Sequence, residues 1–212
     1  MFADHGTVHT GSFRPGQSLY HQEISRFLQN DNSGETLLAV GGTGVGKTRA
    51  YLSAAIETGQ TTWVSTFTRA LQKQVQNEAK TQLGLDAHIR KGRDNYLCLR
   101  LLADAWARGV TAADGRQRLA LVTMARWTLD TPDGDLTGGS FPGWLTTLYG
   151  NGLTLQLADR QKECIYNACP YYANCYAERA RAWSADAPLV VANHAVVAGL
   201  TRSSSLPPTL IM

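Results

Sequence analysis

Eight consecutive residues, Gly41-Gly42-Thr43-Gly44-Val45-Gly46-Lys47-Thr48, follow the pattern G-x-x-x-x-G-K-[ST]. Glycines at these places let the backbone curl around a polyphosphate with its N–H groups turned inward. Lys47 then reaches the β and γ phosphates, and the Thr48 hydroxyl holds Mg²⁺. The chemistry is nucleoside triphosphate binding, with Lys47 and Thr48 as the catalytic candidates. Upstream, Arg14 and Gln17 sit in the turn Arg14-Pro15-Gly16-Gln17 and would contact a base edge if the base is adenine. As residues alone, Arg-Pro-Gly-Gln is equally an ordinary turn.

A second constellation is made of thiols. Cys164, Cys169 and Cys175 form a C-x₄-C-x₅-C triplet, and Cys98 lies far upstream. Structural zinc takes its ligands as tight paired knuckles, whereas an iron–sulfur cluster spans several ångströms and accepts wider, less symmetrical spacing. The spacing therefore favours an iron–sulfur cluster, with zinc and four unrelated buried cysteines as alternatives. Pro170 and the aromatic residues Tyr166, Tyr171, Tyr172 and Tyr176 would wall such a site from water, core packing being their default role.

These groups need elements to hold them. The stretch Ser18 to Leu28 has apolar residues at helical spacing behind the Arg14–Gln17 turn, and Thr36-Leu37-Leu38-Ala39-Val40 is a compact apolar run ending at the glycines, expected as a buried strand. Thr48 to Glu57 reads as a helix and Thr61 to Ser65 as a second strand. Strand, helix and strand in that order make a βαβ unit, so the core is expected to be α/β with a parallel sheet. Leu71 to Gln82 is again helical. The texture changes beyond Asn95: residues 98–183 hold all four cysteines and four of the five tryptophans, with a Gly/Pro/Asp-rich loop from Thr131 to Gly143. This reads as an inserted, mainly helical subdomain. Leu189 to Ala192 and Thr209 to Met212 resume the buried-strand pattern.

Composition sets the outer bounds. A chain of 212 residues that is 43% hydrophobic and 17% charged has enough apolar residues to build a core, which excludes disorder as its main state. The run from Pro188 to Leu200, broken by Asn193 and His194, is too short to span a bilayer. Met1 to Thr10 lacks the basic start and apolar core of a secretory signal, which leads to a cytoplasmic expectation and to reduced cysteines. A net charge of +3 permits nucleic acid as a partner without requiring it.

Taken together, the motifs resemble those of the XPD-like iron–sulfur helicases of superfamily 2 and, within them, the bacterial DinG group. Arg14 to Gln17 is similar to that family's adenine-side motif, Gly41 to Thr48 to its first helicase motif, and Ser65-Thr66-Phe67-Thr68-Arg69-Ala70-Leu71-Gln72-Lys73-Gln74 to its motif Ia. Lys91-Gly92-Arg93-Asp94-Asn95-Tyr96-Leu97-Cys98 resembles the segment that leads into the cluster domain, and Val190 to Ala195 the segment that returns to the sheet. The resemblance covers nearly the whole chain.

It implies an ATP-dependent helicase that tracks single-stranded DNA from 5′ to 3′, with ATP and Mg²⁺ on the loop and a [4Fe–4S] cluster on Cys98, Cys164, Cys169 and Cys175. Residues 1–94 would begin a RecA-like P-loop domain, 95–186 would form the inserted cluster subdomain, and 187–212 would return to the RecA-like domain. Thr66, Thr68 and Arg69 are the implied backbone contacts to DNA, with Lys91 and Arg93 as further phosphate contacts, although a solvated basic turn would look the same. In the family an acidic Asp-Glu-x-His motif follows the last strand, and Met212 falls where it should begin. The chain is thus expected to be the N-terminal part of a longer helicase, binding nucleotide weakly and hydrolysing it hardly at all alone. A DinG of type IV CRISPR systems acting with an RNA-guided complex, a housekeeping DinG acting on R-loops or forked DNA, and a plasmid- or phage-borne homologue are all compatible. The competing reading is a metal-containing DNA- or partner-binding module that only senses nucleotide; a P-loop kinase with a zinc lid would leave motif Ia without a role.

Overall fold

The structure, a computed structural model, describes residues 13–30, 34–112, 115–201 and 209–212. The expectations for Met1 to Thr10 and for the serine run 203–205 lie outside the described residues. The chain forms two compact units, one joining Met1–Arg90 with Ser184–Met212 and the other made of Lys91–Trp183.

The first unit is built on four parallel strands: β1 (Thr62–Thr66), β2 (His88–Arg90), β3 (Leu189–Asn193) and β4 (Thr209–Ile211), in the order β2-β3-β1-β4. All five residues of β1 are buried, and Leu189 to Ala192 of β3 have no exposed surface. Such continuous burial is what a parallel sheet covered on both faces demands. Alternate side chains go to opposite faces. Val64, Leu189 and Val191 pack with Leu52 of α2 (Lys47–Glu57) and with Val75, Ala79 and Leu83 of α3 (Arg69–Leu83). Trp63, Val190 and Ala192 pack with Val197 of α9 (His194–Thr201).

Local chemistry sets the helix ends. The Thr68 side chain accepts the Leu71 N–H at 3.2 Å and so caps α3, while Gly84 at φ +67° ends it with N–H bonds from Gly84 and Leu85 to the carbonyls of Lys80 and Ala79. α1 (Pro15–Gln29) starts with proline at its first position and packs against α2. Arg90, the last residue of β2, donates to Ser184 Oγ at 3.2 Å and lies over the Trp63 ring.

One expected element is corrected. The run Thr36 to Val40 forms no strand pairing among the described residues, and Leu38 and Val40 are 87% and 84% exposed. An apolar run favours burial, but a strand exists only where a neighbour offers a ladder in register. The described edge strand, β4, pairs with β1 alone. The βαβ unit expected from this run therefore lacks its first ladder among the described residues, and the described strands are connected in turn through α3, the second unit and α9.

The second unit is helical, with α4 (Leu99–Ala112), α5 (Gly115–Asp130), α6 (Trp144–Tyr149), α7 (Asn151–Gln156) and most of α8 (Tyr176–Asp186), plus three short 3₁₀ turns. Leu97, Met124, Leu145 and Leu157 are its fully buried side chains, joined by Trp127 and Tyr176. The Thr131–Gly143 loop is ordered by its own polar groups. Thr131 Oγ1 bonds to Asp133, Ser140 and the Gly134 N–H, and Tyr176 packs so closely over Gly134 that a Cβ there would come within 2.3 Å of the ring.

No helix among the described residues is long and apolar enough to cross a membrane. Removing the buried Leu52 side chain as Leu52→Ala leaves a cavity between α2 and the sheet, and we expect a loss of about 2–5 kcal/mol, read as a lower urea midpoint; an unchanged midpoint would mean that α2 does not close this core.

Candidate functional site

The glycine loop lies immediately before α2, and its geometry follows from its sequence. Gly44 and Gly46 adopt φ of +78° and +84°, left-handed values that other residues rarely take, and Gly46 is the residue that turns the chain into the helix. The loop is held from α1 at both ends. The buried Gln17 donates through Nε2 to the Gly46 carbonyl at 3.0 Å, and Tyr20 donates to the Ala39 carbonyl at 3.3 Å. α1 is itself fixed to α2 by His21 and Ser25, which both reach Glu57. Gln17 thus supports the loop from below, whereas Arg14 stands exposed at the N-terminus of α1.

Lys47 Nζ donates to the carbonyls of Gly41 and Gly42 at 3.0 and 2.8 Å, so the ammonium already sits within the loop. Thr43 and Gly44 are exposed at its crest, and Val45 is half-buried against Gly16. Behind the loop, Thr48 hydrogen-bonds the Tyr51 phenol. Burial pushes that phenol up to about 12, with the Thr48 bond acting against the rise, so Tyr51 is a neutral O–H at physiological pH.

At the carboxyl end of β1 and β3 Thr66, Thr68 and Arg69, nominated for nucleic acid, come together with three residues that sequence reasoning did not nominate. Register pairs Thr66 with Asn193. Thr66 Oγ1 donates to the Thr68 carbonyl at 3.4 Å, Thr68 caps α3, and Arg69 is the first residue of that helix. Beside them His194 Nδ1 and Ser65 Oγ are 2.6 Å apart, and Phe67 is 81% exposed. The signal available in the sequence was the aromatic residue between Thr66 and Thr68, and nothing local links Ser65 to a histidine 129 positions on.

The thiols belong to the second unit, as do Lys91 and Arg93. Cys98 lies just before α4, where burial pushes its thiol above the ordinary value against the pull of the Leu101 and Arg100 backbone N–H groups and the Arg100 charge. Cys169 and Cys175 follow the two 3₁₀ turns at Tyr166–Ala168 and Tyr172–Asn174. Cys164 Sγ accepts from Arg93 Nη1 at 3.5 Å and from the Tyr166 N–H at 3.4 Å. All four cysteines are unbridged and half-buried. Among the described residues no three His, Cys, Asp or Glu side chains gather as a site for one ion.

Arg93 and Lys91 are turned to internal partners. Arg93 pairs with Glu178 and stacks over Tyr166, its guanidinium 4.7 Å from the ring centre. Lys91 pairs with Asp135 and donates to Thr137 Oγ1 at 3.2 Å. Desolvation acts to raise the Glu178 carboxyl, but the hydrogen bonds and charges of Arg93 and Arg181 outweigh it and hold the group below its ordinary value.

No family model matches the chain. Among known proteins it is similar to the ATP-dependent DNA helicase YoaA of Haemophilus influenzae, 34% identical over an alignment of 177 positions that covers 81% of this chain and 26% of that protein. The YoaA of Escherichia coli K12 is 32% identical over 191 residues, 86% of this chain and 28% of its own length. The ATP-dependent helicase DinG of Mycobacterium tuberculosis H37Rv is 31% identical over a gapped alignment of 234 positions that covers 93% of this chain and 33% of its own length. The chain thus spans a quarter to a third of these relatives.

The depressed carboxyl of Glu178 gives a signed pH effect. Its folded value lies below the unfolded one, so its stabilisation is complete above the ordinary carboxylate value of 4.5 and is lost as pH falls through the folded value. Thermal melts from pH 7 to pH 3 should show this loss in the wild type. Glu178→Gln should be less stable at pH 7 and lose less on acidification; a parallel pH profile would contradict the assignment.

Proposed function

Because the chain belongs to the DinG-like helicases, we propose that it carries the nucleotide-binding part of an ATP-dependent DNA helicase, coupling ATP hydrolysis to movement along single-stranded DNA. The observation that carries this reading is the glycine loop: Gly46 in the left-handed region, Lys47 already within the curve, and Thr48 behind it. The loop and the helix N-terminus supply N–H donors and partial positive charge for phosphates, Lys47 exchanges its two carbonyls for β and γ oxygens, and Thr48 offers its hydroxyl to Mg²⁺. Gln17, bonded to the Gly46 carbonyl, serves the nucleotide by holding the loop, with Arg14 left to face the base.

The remaining assignments are parts of the same reading. The first unit, Met1–Arg90 with Ser184–Met212, is read as the RecA-like domain and the second, Lys91–Trp183, as the cluster subdomain, so the boundaries lie a few residues before the expected 94/95 and 186/187 and Lys91 and Arg93 fall in the second unit. Thr66, Thr68 and Arg69 meet the DNA backbone at the carboxyl edge of the sheet, where open α/β sheets bind ligands. Lys91 and Arg93 would reach phosphate only by giving up Asp135 and Glu178, and their first role is to fix the second unit. Translocation from 5′ to 3′, R-loop unwinding, a CRISPR RNA-guided partner and a cytoplasmic setting rest on the family resemblance.

For the thiols, the resemblance assigns Cys98, Cys164, Cys169 and Cys175 to a [4Fe–4S] cluster, and the donor set fits such a group. Cys98 precedes α4, and Cys164, Cys169 and Cys175 lie around two short 3₁₀ turns of the same unit, all half-buried and unbridged, without a three-ligand site for one ion among the described residues. A group several ångströms across suits that arrangement better than zinc, the alternative occupant. When bound, it would cross-link four distant points of a small helical unit.

The test is direct. Lys47→Ala should weaken binding of Mg·ATP to the chain by about 10–100-fold, the loss of a charge-assisted contact, while single-stranded DNA binding is retained, and it should abolish unwinding in the complete helicase. Unchanged nucleotide affinity would remove the loop from the mechanism, and unchanged unwinding would overturn the reading of this loop as the motor's ATP site.

A further inference from the structure

We infer that Phe67 and His194 form a base-stacking platform for single-stranded nucleic acid at the carboxyl edge of the sheet, with Ser65 as the residue that positions the imidazole. Phe67 follows β1 directly and keeps 81% of its surface in water, in a unit that buries its other large apolar side chains of β1 and β3 almost completely. Its ring centre is 6.3 Å from that of His194, with the two planes 39° apart. His194 is exposed, yet its Nδ1 is tied at 2.6 Å to a serine that is itself 4% exposed. An exposed ring anchored by a buried hydroxyl has little orientational freedom left to lose on binding. With Ser65 donating to Nδ1, the Nε2 proton is a donor for a phosphate or a base edge.

The surroundings match the same ligand. The parallel register that pairs Thr66 with Asn193 brings the starts of α3 and α9 to one edge, so two helix N-termini and Arg69 offer positive potential beside the two rings. Charge for the backbone and π-faces for the bases are the two halves of single-strand recognition without sequence preference. This rests on the DNA-dependent motor reading above and adds to it the residues that meet the bases rather than the phosphates.

The test uses fluorescence anisotropy of the chain with two strands of equal length, oligo-dT and an abasic strand that keeps the phosphates. Phe67→Ala should weaken binding to oligo-dT by about 5–100-fold and leave the abasic strand and Mg·ATP binding unchanged; Phe67→Tyr should restore the loss. Ser65→Ala should weaken oligo-dT binding in the wild-type background and add nothing to His194→Ala. Equal weakening on both strands, or none, overturns the platform while leaving the motor reading standing. A wild-type chain that binds neither strand overturns both. Phe67 is exposed, so an unchanged melting temperature confirms that its variants are folded.

Discussion

The parallel ladder between β1 and β3 is the constraint on which the rest of the first unit depends. It pairs Thr62–Thr66 with Leu189–Asn193, residues separated by well over half the chain, and a parallel pair can form only when the connection crosses back over the sheet. The fully buried backbone groups of both strands have no partner but each other and their outer neighbours, so a shift of register would leave them unsatisfied and turn every side chain to the wrong face. The same register decides which residues meet at the carboxyl edge. Ser65 finds His194 because Thr66 is opposite Asn193.

The nucleotide loop is fixed by a different device. The run before it, Thr36 to Val40, forms no strand among the described residues, and the loop takes its shape from α1, through Gln17 on Gly46 and Tyr20 on Ala39, with α1 braced on α2 through Glu57. The close approach at Gly46 explains the glycine there: a Cβ would come within 2.5 Å of Gln17 Nε2, at a φ that already excludes most residues. With Lys47 folded onto two loop carbonyls, a phosphate taken up here as proposed would enter by exchange of partners.

How much of this was legible follows the range of each interaction. The helices at 15–29, 47–57 and 69–83 and the strands at 62–66 and 189–193 announce themselves through local periodicity and continuous apolar runs, and the observed ends differ from those read in the sequence by only a few residues. Thr36 to Val40 carries the same apolar signal and has no ladder among the described residues, because pairing is a property of two segments and the run describes one. Lys91 and Arg93 read as phosphate contacts, with a solvated basic turn as the alternative, but their partners Asp135 and Glu178 lie 44 and 85 residues away, and no spacing rule connects them. The same distance hid Ser65 from His194.

The bond from Arg90 to Ser184 has a consequence for how such a chain can change over time. It ties together the points at which the first unit releases residues 91–183 and takes the chain up again, so the sheet sees a closed junction whatever is threaded between. Closing a longer excursion costs only about 0.6 kcal/mol per doubling of length. Residues can be gained or lost in that segment at almost no entropic cost to the ladder between β1 and β3, and the excursion is free to diverge in size while the strands that frame it stay as they are.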